Sequence, residues 1–192
     1  MKLLIICLMT LLLCVSVAAA NEFTEGRDTN SVQAVKSLEG YAKYKMGQYK
    51  EAREIWLELA ELDNATAMIN LANLYEQGQG VDQDYKQSNS WLEKAAALND
   101  PRAQFQLGMA YEKGTGVERN PQRAAEWFEK AAINGDMVAQ FNLGVMLATN
   151  YGEGHATSSP TQREKATSWL KKADENGHTD AAEFLKVLAT LQ

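Results

Sequence analysis

The side chains best suited to nucleophilic or metal chemistry are scarce: two cysteines and two histidines in 192 residues. Cys7 and Cys14 stand inside an apolar N-terminal stretch, while His155 and His178 fall in loop- and turn-like segments rich in Gly, Ser and Asn. No H-x-x-x-H or H-E-x-x-H pair places two imidazoles on one helical side around a metal. A Gly-x-Ser-x-Gly nucleophile elbow is absent as well. Gly78-Gln-Gly80 and Gly114-Thr-Gly116 have the spacing of phosphate-cradling turns. Neither carries the third glycine or the Gly-Lys-Ser/Thr ending that aims amides and a cation at a phosphate, so both read as turns. Glu51, Glu54, Glu58 and Glu61 recur at helical spacing and form an acidic face, either solvated or a site for a basic partner. Glu126 and Glu129 decorate a later helix in the same way. Trp91, Trp127 and Trp169 could stack a ligand, yet their equivalent placement along the chain predicts core packing instead. The expectation is therefore a non-enzyme with no catalytic residue, no metal site and no cofactor.

The chain that must position these residues is long enough for one domain with a sizeable core. Proline is scarce, with three residues, and the balance is acidic, with 19 basic against 25 acidic side chains. A net charge of −6 with no basic stripe gives nucleic-acid binding little electrostatic support. Residues 1–20 differ from the rest. Lys2 is followed by an apolar run from Leu3 to Val17 and then by Ala18, Ala19 and Ala20. A positive start, a short apolar centre and a small-residue end describe a cleavable signal peptide, with Asn21 as the new N-terminus. An uncleaved anchor is the alternative. Cleavage removes both cysteines, so a periplasmic or secreted chain forms no disulfide and depends on packing, with no membrane insertion of its own.

Self-similarity is the strongest signal. The stretch from Ala67 through Leu71, Tyr75, Gly78 and Gly80 to Val81 recurs 36 residues later as Ala103, Leu107, Tyr111, Gly114, Gly116 and Val117. Trp91 and Lys94-Ala95-Ala96 recur as Trp127 and Lys130-Ala131-Ala132. Ala139, Leu143 and Gly144 continue the series, but Trp127 maps to Trp169 and Lys130 to Lys172 only after 42 residues. That difference predicts six extra residues between the two helices of the third unit. A period of roughly 34–40 residues means stacked helix pairs, each unable to bury its apolar face alone. Helices are expected near 31–46, 49–62, 65–77, 84–98, 101–113, 121–134, 137–149, 160–176 and 179–190. Asp84, Asn120 and Ser159 are expected N-caps, and Gly78 and Gly114 left-handed helix ends. Val81 and Val117 are expected to tuck beneath their loops. The tryptophans are expected to anchor the second helix of each pair, Trp127 being buried in the central unit.

These residues resemble the Sel-like repeat family, a relative of tetratricopeptide repeats. Its pattern runs A-x-x-x-L-G-x-x-Y-x-x-G-x-G-V, then D, K-A, W and K-A-A-x-x-G. Residues 103–135 follow it nearly throughout; Ala72 replaces a glycine in the first unit, and Leu147 replaces the tyrosine in the third. The resemblance implies an all-α, right-handed superhelical solenoid of stacked antiparallel helix pairs. The organisation expected is a signal peptide at 1–20, a flexible segment at 21–30 and a tetratricopeptide-like pair at 31–64. Repeats at 65–100, 101–136 and 137–178 follow, then a capping helix at 179–192. The resemblance also implies a monomeric adaptor that binds a protein or peptide, in envelope assemblies, host interaction or toxin neutralisation. Exported relatives suggested to act on cell-wall or β-lactam substrates carry a cysteine pair per repeat, which this chain lacks outside residues 1–20.

A partner face can be placed by helical geometry. At about 100° per residue, 67, 71, 74 and 75 face the repeat's own second helix, and position 69 (Ile69, Phe105, Phe141) faces the next unit. The remaining stripe, expected on a concave face, carries Asn70 and Asn73 in the first repeat, Gln106 and Met109 in the second, and Asn142 and Val145 in the third. Amides both donate and accept, which suits the backbone of an extended peptide. These six residues are the candidate binding site.

Overall fold

Nine helices and no strand occupy the described residues of the computed structural model, 30–152 and 158–190. The expected signal peptide, residues 21–29 of the expected flexible segment, His155 and the middle of the expected loop insertion lie outside these residues. The chain divides into two compact units between Ile55 and Trp56. In the first, α1 (30–45) closes in a turn at Gly47 (φ 76°), and the Gln48 N–H donates to the Lys43 carbonyl. The Tyr44 ring meets Tyr49 edge-on at 5.4 Å, at the start of α2 (Tyr49–Ala60).

The second unit contains the end of α2, then α3 (Ala65–Gln77), α4 (Tyr85–Ala97), α5 (Pro101–Lys113), α6 (Pro121–Ile133), α7 (Met137–Ala148), α8 (Pro160–Glu175) and α9 (Ala181–Thr190). It is an all-α solenoid. α3 packs on α4, α5 on α6 and α7 on α8, and the pairs join through α4–α5, α6–α7 and α8–α9.

Sequence fixes these boundaries through caps. Asp84, Asn120 and Ser159 accept backbone N–H groups at the starts of α4, α6 and α8, as expected. Asn64, Asp100 and Asp136 do the same for α3, α5 and α7. Each cap satisfies donors that a first helical turn otherwise leaves unpaired. Gly78 and Gly114 end α3 and α5 at φ 66° and 76°, where a Cβ is strained.

Packing revises the tryptophan assignment. Trp91, Trp127 and Trp169 are only half-buried, and Lys94, Lys130 and Lys172 lie 3.9, 3.8 and 4.3 Å from their ring centroids. The buried anchor is the next residue in each case: Leu92, Phe128 and Leu170. Trp56 holds the equivalent place in α2 and is buried. The cause sits on the facing helix. A Cβ on Gly108 would lie 2.5 Å from the Phe128 ring, and one on Gly144 2.6 Å from Leu170 Cγ. In the second and third repeats the glycines thus admit those side chains, and in all three the tryptophan one helical step around lies at the rim. Val81 and Val117 are likewise half-buried rather than tucked into the core.

Two amide chains tie successive repeats together. Gln104 is buried in α5; its Nε2 donates to the Ala96 carbonyl and its Oε1 accepts from Asn134 Nδ2 at 2.9 Å. Gln140 repeats this with the Ala132 carbonyl and Asn176 Nδ2. A carbonyl near the end of one helix is thereby satisfied, and the cap residue of the next repeat is recruited. The loops stack too: Asn89 Nδ2 donates to the Thr115 carbonyl at 2.8 Å, and a Cβ on Gly116 would strike Tyr85.

The third repeat corrects a second expectation. The six extra residues do not all lie between the helices. The N-cap moves by 39 residues from Asn120 to Ser159, and α8 has 16 residues where α6 has 13. Half of the insertion therefore lengthens α8. The residue just before the cap of α8 is buried. Ser158 is 4% exposed, and its hydroxyl donates to the Leu147 carbonyl at 2.8 Å. In the first two repeats the equivalent Tyr75 and Tyr111 carbonyls accept from the N–H of Asp84 and Asn120. A side-chain hydroxyl thus replaces a backbone donor and keeps the start of α8 against the end of α7.

Candidate protein-binding face

The six predicted site residues are all half-buried on α3, α5 and α7. Asn70, Asn73 and Gln106 make no side-chain hydrogen bond among the described residues, so their amides remain available. Gln106 and Met109 come together in a cleft of about 100 Å³ with Glu76, Tyr85 and Lys113 at its wall. Asn142 Nδ2 lies 4.0 Å from Met109 Sδ, which joins the second and third repeats along the stripe. Asn70 and Asn73 do not line this cleft.

The geometry is less open than helical spacing predicts. Met109 and Val145 both pack against the hydrophobic cluster built by α6, α7, α8 and Leu188 of α9, so they do not point away from every packing side. A period of about 3.6 residues assigns a side chain to a stripe but not to the groove between two repeats. Glu76 and Tyr85 were invisible to that reading because they reach the cleft from the preceding helix pair.

Charge organises the start of the stripe. Arg102 Nη2 donates to Thr66 Oγ1 at 2.9 Å and bridges Asp100 at 2.8 Å. Burial alone raises the Asp100 carboxyl, but the hydrogen bond and charge of Arg102 outweigh it and hold the group below the ordinary aspartate value. His178, in the turn before α9, stacks on Phe141 with centroids 4.1 Å apart. Phe141 also meets Phe184 of α9, so it packs on the next element as expected, whereas Phe105 meets Phe128 of its own repeat. No cluster of three or more His, Cys, Asp or Glu among the described residues could hold a metal ion. No helix among them is long and apolar enough to cross a membrane.

Comparison with known proteins follows the repeats. The Sel1 repeat model matches residues 65–100, 101–136 and 138–178. A Sel1 repeat protein from Oxalobacter formigenes is similar at 29% identity and TM-score 0.69, over 79% of this chain and 60% of that one. A protective antigen present in uropathogenic Escherichia coli strains, displaying an SLR fold, is similar at 27% identity and TM-score 0.67, over 81% and 33%. Cysteine rich protein B of Helicobacter pylori shares the fold at 23% identity and TM-score 0.51, over 71% and 93%. The chain spans less than two thirds of the first two proteins. Among curated proteins, none matches.

Proposed function

Because the chain belongs to the Sel1 repeat family, we propose that it is an exported, monomeric adaptor that binds a protein partner along the α3–α5–α7 stripe. Repeat scaffolds of this family are typically protein-interaction modules rather than enzymes. One observation supports the stripe most: Asn70 and Gln106 are half-buried amides 36 residues apart with no side-chain hydrogen bond among the described residues. An extended segment laid along the stripe meets a donor and an acceptor at Asn70 and again at Gln106, and Met109 supplies an apolar contact beside Gln106.

The test is quantitative capture of envelope proteins by the wild-type chain and by Asn70→Ala/Gln106→Ala. The variant is expected to lose about tenfold in affinity for the captured partner with an unchanged melt, since neither amide holds the fold together. Full capture by the variant contradicts the stripe. Export has a separate test. The Lys2, Leu3–Val17 and Ala18–Ala20 pattern supports cleavage, so an intact mass from periplasmic extract is expected to start at Asn21. Recovery of the full-length chain in the membrane fraction contradicts it.

A further inference from the structure

A second cleft, of about 630 Å³, opens between the end of α2, the start of α3 and the end of α4. Comparison with the equivalent places in later repeats isolates what is unusual about it. There, a buried glutamine (Gln104, Gln140) and an asparagine (Asn134, Asn176) form the amide chains described above. Here, Met68 stands at the glutamine position and Leu98 at the asparagine position. Both line the cleft together with Leu57 and Trp91. Met68 is 5% exposed and Leu98 41%, so an apolar floor rises to an accessible apolar wall.

The rim differs as well. Glu61 and Asp63 border the cleft, where the next repeat has Ala97 and Asn99 and the one after has Ile133 and Gly135. Neither carboxylate has a side-chain hydrogen bond or ion pair among the described residues. Both follow the C-terminal end of α2, whose last carbonyls already carry partial negative charge. Lys94, the one cation of the lining, lies over the Trp91 ring. The acidic rim is thus left to attract a cation from elsewhere.

We propose that this cleft docks a peptide segment of a protein partner in which an apolar side chain neighbours a lysine or arginine. The apolar side chain rests on Met68, Leu98 and Leu57, and the cation sits between Glu61 and Asp63. The inference rests on the reading of the chain as a protein-binding scaffold but uses a different face from the amide stripe. An apolar pocket with a few charged groups at its edge combines affinity with orientation.

The probe is a displayed random heptapeptide library selected on the intact protein at low salt, followed by synthesis of the enriched peptides. Two variants locate the site. Met68→Gln/Leu98→Asn restores the amide pair that the later repeats accommodate. Glu61→Gln/Asp63→Asn removes the rim charge; Asp63 has φ 55°, and Asn99 already occupies the equivalent place at φ 61°. Enriched peptides are expected to pair Leu, Ile, Met or Phe with Lys or Arg. Each variant is expected to weaken their binding about tenfold, as does raising salt from about 50 to about 300 mM, while Asn70→Ala/Gln106→Ala does not. Three results overturn the cleft: no enrichment, enrichment without basic residues, or unchanged binding to either folded variant. Peptides lost only on Asn70→Ala/Gln106→Ala also overturn it, and leave the stripe standing.

Discussion

Trp127 and Phe128 are adjacent, both aromatic, and have different duties. Phe128 is 0% exposed and fills the space left by Gly108, so Phe128→Ala is expected to cost about 3–5 kcal/mol in denaturant unfolding. Trp127 shields the repeat's edge beneath Lys130, and Trp127→Ala is expected to cost about 1–2 kcal/mol. A reversed order contradicts this packing. Sequence alone pointed at the tryptophans because they recur in identity, whereas the true anchor varies as Leu92, Phe128 and Leu170. Both positions repeat with the same period, and the small residue on the facing helix, Ala72, Gly108 or Gly144, is the sequence feature that accompanies the buried one. Asp100 offers a test in pH. Its folded value is lowered, so its contribution is present above the unfolded value near about 4 and is lost as pH falls through the folded one. Asp100→Asn is therefore expected to flatten the acid limb of a stability profile below about pH 4. An unchanged limb contradicts the Arg102–Asp100 pairing.

Helix ends were legible because capping chemistry is local. Asp84, Asn120 and Ser159 could be assigned from one side chain and its neighbours, and the structure places them as caps. The insertion was not legible in the same way. Counting from Trp127 to Trp169 gives its full length, and only the 39-residue spacing of the caps Asn120 and Ser159 divides it between loop and helix. What no sequence signature shows is the Ser158 hydroxyl on the Leu147 carbonyl, a contact between residues 11 apart. Ser158→Ala removes the buried hydroxyl and leaves that carbonyl the longer 3.3 Å bond from the Asn150 N–H, and is expected to cost about 1 kcal/mol in thermal unfolding. No loss would mean that the α7–α8 connection is held elsewhere. Gly144→Ala tests the facing surfaces of the same helices: the new Cβ meets Leu170 at 2.6 Å, and overpacking is expected to cost about 1–3 kcal/mol. A neutral result contradicts the close approach.

At the scale of the molecule, the repeated residues build the scaffold and the unrepeated ones give it character. Period, caps and apolar stripes made the solenoid readable, because each repeat states the same packing problem again. Surface use was less readable. The amide positions could be found by spacing, but Met109 and Val145 proved to lean on the core, which depends on how neighbouring repeats pack. The Met68–Leu98 replacement acquires meaning only once the Gln104–Asn134 and Gln140–Asn176 bonds are seen. The central claim, that the α3–α5–α7 stripe carries a protein partner, is tested most directly by photo-cross-linking. A photoreactive residue is placed at Gln106 in one chain and at Glu126, exposed on α6, in another, and both are activated in intact cells. The account predicts a discrete cross-linked protein from position 106 and none from position 126. The same adduct from 126 with nothing from 106 would contradict it.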